Sequence, residues 1–351
     1  MQGLVNSPVK RLFVRTAALA CMVLTHTATP VYAQSVIVFG SLDQAISWLE
    51  SEEWWGEEKR GNQLEVPHAM LTGIPTRWQQ TAKNLPVAQK KEIFYRFMLP
   101  LIMHANSMVL DRRSRLASMR EKATAGGAQS ADDLTWLHQA AVLLRIIKND
   151  SGLIADADSP ELLRIIDEAL YKLDIVPAGL ALGQAAYESG YGTSRFAVTG
   201  NALFGQWTFG GEGLIPEQQR SDLGDHRIAA FDWPFDSVRG YFLNLCSHPA
   251  YEDFRRLRAD LRAAGKPMSS MAMADGLIRY SERGQEYVDT LKGIMRVNKL
   301  ELADDAVFRN EPIRFIVPAN SEAEAASMEE RIEAARESGE ITEIVARMRL
   351  E

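Results

Sequence analysis

Residues 174–207 read DIVPAGLALGQAAYESGYGTSRFAVTGNALFGQW. From Pro177 to Tyr187 nearly every side chain is small or apolar, on every face of a helix, and such a helix is buried all round. Ala181, Gly183, Ala185 and Ala186 let neighbouring helices approach closely. Glu188 is the only carboxylate in this helix and sits at its very end, on one face with Ala181, Gln184 and Ala185. Gly190 and Gly192 then break the helix. A carboxylate at the end of an apolar helix is partly desolvated, which raises its pKa. The negative end of the helix dipole pushes the same way. A carboxyl group kept protonated near neutral pH is suited to general acid catalysis. The competing reading is a glutamate fraying into solvent at a helix end.

Upstream of this stretch the pattern is helical. Ile93, Phe94, Phe97, Met98, Leu101, Ile102, Ala105 and Val109 keep the spacing of one buried face, and Pro100 should kink that helix or mark a boundary. Arg112 to Lys122 reads as a charged surface continuation. A second helix opens at Ser130 with Asp133 three residues on, and a third at Ser159-Pro160. Leu42 to Leu49 fits a short helix, and Pro67 to Trp78 an ordered loop. Downstream, residues 199–232 are rich in Gly, Thr, Phe and Trp and predict a small β region. Asp236 to Ser247, Tyr251 to Ala264 and Met271 to Val297 return to helix. Ile313 to Val317 is strand-like, and a charged helix follows, opened by the capping box Ser321 to Glu324. The order is an α+β class, mainly α.

Composition bounds the rest. The 351 residues carry a net charge of −7, so a basic nucleic-acid binder is not expected. Ser321 to Glu351 holds nine acids and four bases, a local −5 that accounts for most of the total. Lys10, Arg11 and Arg15 precede an apolar run, Thr16 to Thr25, too short to span a bilayer. Val31-Tyr32-Ala33 then offers small residues at a peptidase site, the pattern of a cleaved secretory signal. Cleavage after Ala33 leaves Cys246 as the single cysteine, with no membrane span and a periplasmic or secreted location expected. Cys246 reads as a buried small hydrophobe. No zinc, nucleotide or serine-hydrolase motif is present. His226 and His248 read as surface or capping residues, and neither a metal nor a cofactor is expected.

Glu188-Ser189-Gly190-Tyr191-Gly192-Thr193-Ser194-Arg195-Phe196-Ala197, followed by Asn201-Ala202-Leu203-Phe204-Gly205, resembles the signature of the glucosaminidase domain family, glycoside hydrolase family 73. The resemblance continues through Phe231, Asp236, Tyr241, Asn244 and His248-Pro249-Ala250-Tyr251 to Tyr280–Tyr287. The upstream run at 99–106 is similar to the Bax-like bacterial subgroup. The resemblance implies a lysozyme-like catalytic domain with a small β lobe, acting on the β-1,4 bond after N-acetylglucosamine in peptidoglycan. It implies Glu188 as the catalytic acid and Tyr280 as a catalytic tyrosine near it, able to hydrogen-bond the N-acetyl group or orient water. Tyr191, Asn201, Phe204, Trp207 and Tyr287 are implied as substrate contacts, with Tyr191 standing where many members have Trp. A second carboxylate is implied in the β lobe. Glu217 is the first choice, with Glu212, Asp222 and Asp225 as options, or the substrate's own N-acetyl group in its place.

The expected organisation is a signal peptide over 1–33, a helical region over 34–160, a catalytic domain over 161–302 and an acidic tail with one helix over 303–351. A glycoprotein endoglycosidase is a further reading, because the same bond chemistry occurs in N-glycan cores, and two more readings stand beside wall hydrolysis. One is a lytic transglycosylase, which uses one glutamate on a similar fold. The other is a non-catalytic wall-binding or scaffold protein.

Overall fold

The computed structural model describes residues 36–53, 59–60, 63–149, 152, 154, 159–208, 213–215 and 227–338. The signal segment, His226 and all four candidates for the second carboxylate lie outside those residues.

The chain begins with β1 (Val36–Phe39) and α1 (Leu42–Ser51), the latter capped by Ser41 and Gln44 in a reciprocal box. β2 (Lys59–Arg60) and β3 (Gln63–Val66) pair antiparallel, and β4 (Ala69–Leu71) and α2 (Thr76–Thr81) follow. The stretch Pro67 to Trp78, expected as a loop, therefore holds a strand and a helical turn. Its apolar Ala69, Met70 and Leu71 are buried in a sheet that local pattern could not announce.

α3 runs from Val87 to Thr124 and passes through Pro100 unbroken. Pro100 therefore marks no boundary, and Leu99, Leu101 and Ile102 around it are sealed in the core. Tertiary burial there outweighs the lost backbone bond of one proline. The charged continuation is amphipathic, with Leu116 and Met119 buried between its arginines. α4 (Ala131–Leu143) starts where Ser130 accepts a bond from the Asp133 amide, and α5 (Ser159–Lys172) packs along α3.

α6 (Ala178–Ser189) is the central helix, buried from Ala178 through Ala186. A Cβ on Gly179 would lie 2.4 Å from the Leu300 carbonyl oxygen, and one on Gly183 would lie 3.2 Å from the Met295 side chain. Close approach of the Leu300 backbone thus requires Gly179, while at Gly183 the Met295 side chain packs against the helix. Asn106 of α3 clamps the entry to α6, donating to the Val176 carbonyl at 2.8 Å and accepting from its amide at 3.0 Å. Asp304 accepts from the Gly179 amide at 3.0 Å at the positive end of the helix.

α7 (Arg195–Gly200) leads to three short strands, β5 (Trp207–Thr208), β6 (Gly213–Leu214) and β7 (Arg227–Ala229), with β7 in the middle of an antiparallel sheet. α8 (Pro234–Ser247) and α9 (Glu252–Ala263) return the chain to helix. The expected long helix from Met271 to Val297 is divided. α10 (Ser270–Met273) and a turn of 3₁₀ helix precede a loop, and α11 (Gln285–Val297) begins after Gly284 at φ +53°. A Cβ on Gly276 would lie 2.6 Å from the Phe254 Cα, so this turn packs closely on α9.

β8 (Val307–Phe308) pairs with β3, and β9 (Arg314–Pro318) lies parallel to and between β1 and β4. α12 (Glu322–Ser338) starts after Ser321, whose hydroxyl accepts from the Glu324 amide. The observed class is α+β, mainly α. Segments from both sides of the central helices share one sheet. α3 is long and apolar enough to cross a membrane by length and composition, and most of that stretch is buried inside the protein.

Candidate active site

Glu188 lies in the last turn of α6, and Gly190 at φ +58° ends the helix in the left-handed conformation. Ser189 ties the end down, donating to the Ala185 carbonyl at 2.6 Å and accepting from the Gly192 amide at 2.8 Å. The carboxylate is therefore held at a rigid helix end and does not fray.

A directed chain of buried hydrogen bonds ends on it. The Tyr241 hydroxyl donates to Gln184 Oε1 at 2.6 Å. Gln184 Nε2 donates to the Tyr287 hydroxyl at 3.0 Å, and that hydroxyl donates to Glu188 Oε1 at 2.8 Å. Every donor points toward the carboxyl, so each bond polarises the next. The other oxygen, Oε2, makes no hydrogen bond with the described residues. It faces Gly205, where a Cβ would stand 3.6 Å away.

Burial raises the pKa of Glu188 above its ordinary 4.5, and the Tyr287 bond opposes this only in part. Among the described residues no cation pairs with it. The neighbouring groups are instead Tyr241, Tyr251, Tyr280 and Tyr287, all held above the usual phenol range, first by burial, with the Glu188 charge contributing in each case. Tyr280 stacks on Tyr287 with ring centroids 5.6 Å apart and donates to the Phe204 carbonyl at 3.1 Å. The site is a desolvated acid in a cage of neutral hydroxyls.

The residues expected as substrate contacts divide. Tyr287 is fully buried and reaches Glu188, so it orients the acid and presents no face to a ligand. The Phe204 ring is also withdrawn, stacked on Tyr241 at 4.0 Å, which corrects the expectation of a ligand contact and leaves its carbonyl as the Tyr280 acceptor. Asn201 is committed to the backbone. It adopts φ +48°, donates to the Phe231 and Asp232 carbonyls at 3.0 Å each, and accepts from the Ile74 amide at 3.2 Å. Tyr191, at φ +60°, turns its ring toward α3, edge-on to Phe94 and Tyr95, with Lys90 and Lys91 each 5.6 Å from its centroid. The backbone of Trp207 pairs with Ile228 in β5, and its side chain is not among those described.

Gln184, Tyr241 and Tyr251 did not emerge as site residues from sequence reasoning. The signal for Gln184 was present, since it is a lone amide on the Glu188 face of an apolar helix. His248 caps the turn before α9, its Nδ1 accepting from the Ala250 amide at 3.2 Å. Among the described residues no group of three potential ligands could hold a metal.

An acid shielded from water and free of counter-cations is what a glycosidase uses to protonate a leaving oxygen. Residues 164–300 match the glucosaminidase family, described as mannosyl-glycoprotein endo-beta-N-acetylglucosaminidase. The chain is 34% identical over 134 residues to the protein bax of Escherichia coli (strain K12), covering 38% of this chain and 47% of that protein. It thus spans about half the length of the curated relative it matches. No solved structure matches. The likeness to a glucosaminidase domain thus lies in residues 164–300, the part of the chain that holds Glu188.

Proposed function

We propose that this protein hydrolyses the β-1,4 bond after N-acetylglucosamine in peptidoglycan glycan strands, with Glu188 as the general acid on a lysozyme-like domain. The observation that carries this reading is the Glu188 carboxyl itself, half-buried without a cation, bonded through Oε1 and open at Oε2 toward Gly205. A proton on Oε2 is then available to a glycosidic oxygen. As it leaves, the carboxylate formed accepts the Tyr287 hydroxyl, which is already in place. Preorganised donors of this kind favour the charge that develops in the transition state. Tyr280 holds the Phe204–Gly205 turn beside Glu188 and is a positioning residue for that face.

Export supports the substrate. A signal segment over 1–33 delivers the enzyme to the compartment where wall glycan lies, and the mature chain starts at Gln34. N-terminal sequencing of periplasmic material tests that start.

Mass spectrometry of fragments released from purified sacculi tests the reaction. A reducing N-acetylglucosamine end is expected. Anhydro-muramic ends alone would make the protein a transglycosylase, and no release by folded protein would make it a binder.

A further inference from the structure

Helices α3, α4 and α8 border a groove of about 470 Å³ that none of the acid-site residues lines. Its wall carries Trp136 and two leucines that stand out into solvent, Leu143 at 58% exposure and Leu243 at 37%. Set into this apolar lining are Arg112 of α3 and, from α8, Arg239 and Asp236.

The charges in the groove do not balance. Asp236 stands 3.4 Å from Arg239. Arg112 is half-buried, feels the charge of Arg239, and makes no hydrogen bond or ion pair with the described residues. Burial first, then Arg239, weaken its hold on its proton. Elsewhere in this fold half-buried guanidiniums have partners: Arg113 donates to two carbonyls at 2.5 Å and Arg314 grips Glu52 at 2.5 and 2.9 Å. A guanidinium left open beside a second one, on an apolar trough, is complementary to an incoming carboxylate that brings apolar groups with it.

We propose that this groove binds the acidic peptide stem carried by the glycan strand, with a stem carboxylate on Arg112 and the small apolar side chains of the stem on Trp136, Leu143 and Leu243. The identity of the ligand rests on the peptidoglycan reading above. A peptide fits better than a simple fatty acid, because Asp236 and the Gln139 side chain also line the groove and can meet backbone amides.

Calorimetry on the Glu188→Gln protein, which keeps the groove and removes turnover, provides the test. The probe is the free tetrapeptide Ala–D-Glu–diaminopimelate–D-Ala. Saturable binding is expected. Arg112→Ala should weaken it by about 10- to 100-fold, the worth of a charge-assisted bond, while Arg112→Lys restores part of it. Leu143→Asp should weaken it independently, and circular dichroism melts verify that each variant is folded. Absence of binding at millimolar peptide, equal binding by folded Arg112→Ala, or preference for decanoate over the peptide would each overturn the proposal. Fragment release from sacculi by the wild-type protein is scored separately. A protein that cleaves glycan without binding the peptide loses the groove alone, and one that binds the peptide without cleaving loses the hydrolase alone.

Discussion

Glu52 and Glu188 each sit at the C-terminal end of a helix, where the dipole disfavours negative charge, yet the chain surrounds them with opposite chemistry. Glu52, at the end of α1, meets two guanidiniums. Arg314 reaches both of its oxygens, at 2.5 and 2.9 Å, and Arg309 reaches Oε2 at 2.8 Å. Burial alone would raise its pKa, but the Arg314 and Arg309 contacts outweigh burial and the net direction is down. Glu188 meets phenols and an amide chain, burial prevails, and the direction is up. Helix position and burial are shared, and the partner decides the role. Arginines keep a carboxylate charged and make it a clamp. Neutral donors leave it able to carry a proton.

The sharpest way to break the comparison is to remove each proton site in turn. Glu188→Gln keeps size and hydrogen bonding but not the transferable proton, and turnover on glycan should fall by about 10²–10⁴-fold, the usual worth of general acid catalysis. Wild-type turnover in the folded variant would end the assignment of Glu188. Glu52→Gln should leave turnover intact and destabilise the fold by about 2 kcal/mol, since charged hydrogen bonds to two arginines are lost. Thermal denaturation measures this, and an unchanged midpoint would show the clamp to be idle.

Stability against pH should separate the two carboxyls by sign. The Glu188 pKa is raised in the fold, so its ionisation weighs against folding above its ordinary 4.5, and Glu188→Gln should gain on the wild type as pH rises from there. The Glu52 pKa is depressed, so its contribution is present above 4.5 and is lost as pH falls through the folded value. The deficit of Glu52→Gln should therefore shrink in acid. Midpoints of both variants and the wild type across pH 3 to 7 test this, and parallel curves would refute it.

His68 adds a background to those curves. Its Nε2 lies 3.1 Å from His104 Nδ1, and burial with the His104 charge lowers its pKa to about 4. Its contribution to stability is present above the unfolded value of 6.5 and is lost as pH falls toward 4.

The smallest expected effect is Tyr287→Phe. It removes the donor that favours the charged form of Glu188, so the acid's pKa should rise further and the alkaline limb of activity should move to higher pH. The accompanying loss of rate should be about tenfold or less, the worth of one neutral hydrogen bond. A limb that stays in place would mean that Tyr287 only packs.

Much of the acid site is legible in the sequence alone. An apolar helix ending in one glutamate and followed by Gly190 and Gly192 states its own burial and its own stop, and the observed helix ends at Ser189. Caps are legible for the same reason, since Ser130 and Ser321 act on amides three residues away. The errors lie where distant segments meet. Ala69–Leu71, in a stretch expected as a loop, forms a strand because β9 from far along the chain pairs with it, and the helix expected over 271–297 is divided before Gly284 at φ +53°.

By itself the sequence determined the helical class, the small β insertion and the lone glutamate at the end of an apolar helix, because these rest on patterns within a few turns of chain. Only the tertiary structure decided which aromatic rings are withdrawn into the core. Phe204 and Tyr287 look alike in sequence to rings that bind sugar, yet one stacks on Tyr241 and the other donates to Glu188. It also decided that β9 from the acidic C-terminal stretch lies between β1 and β4. Strand partners and ring orientation depend on contacts between residues tens to hundreds of positions apart. Local periodicity carries no record of those contacts, because the hydrogen bonds of a sheet and the packing of a ring are satisfied by whichever segment the whole fold brings near.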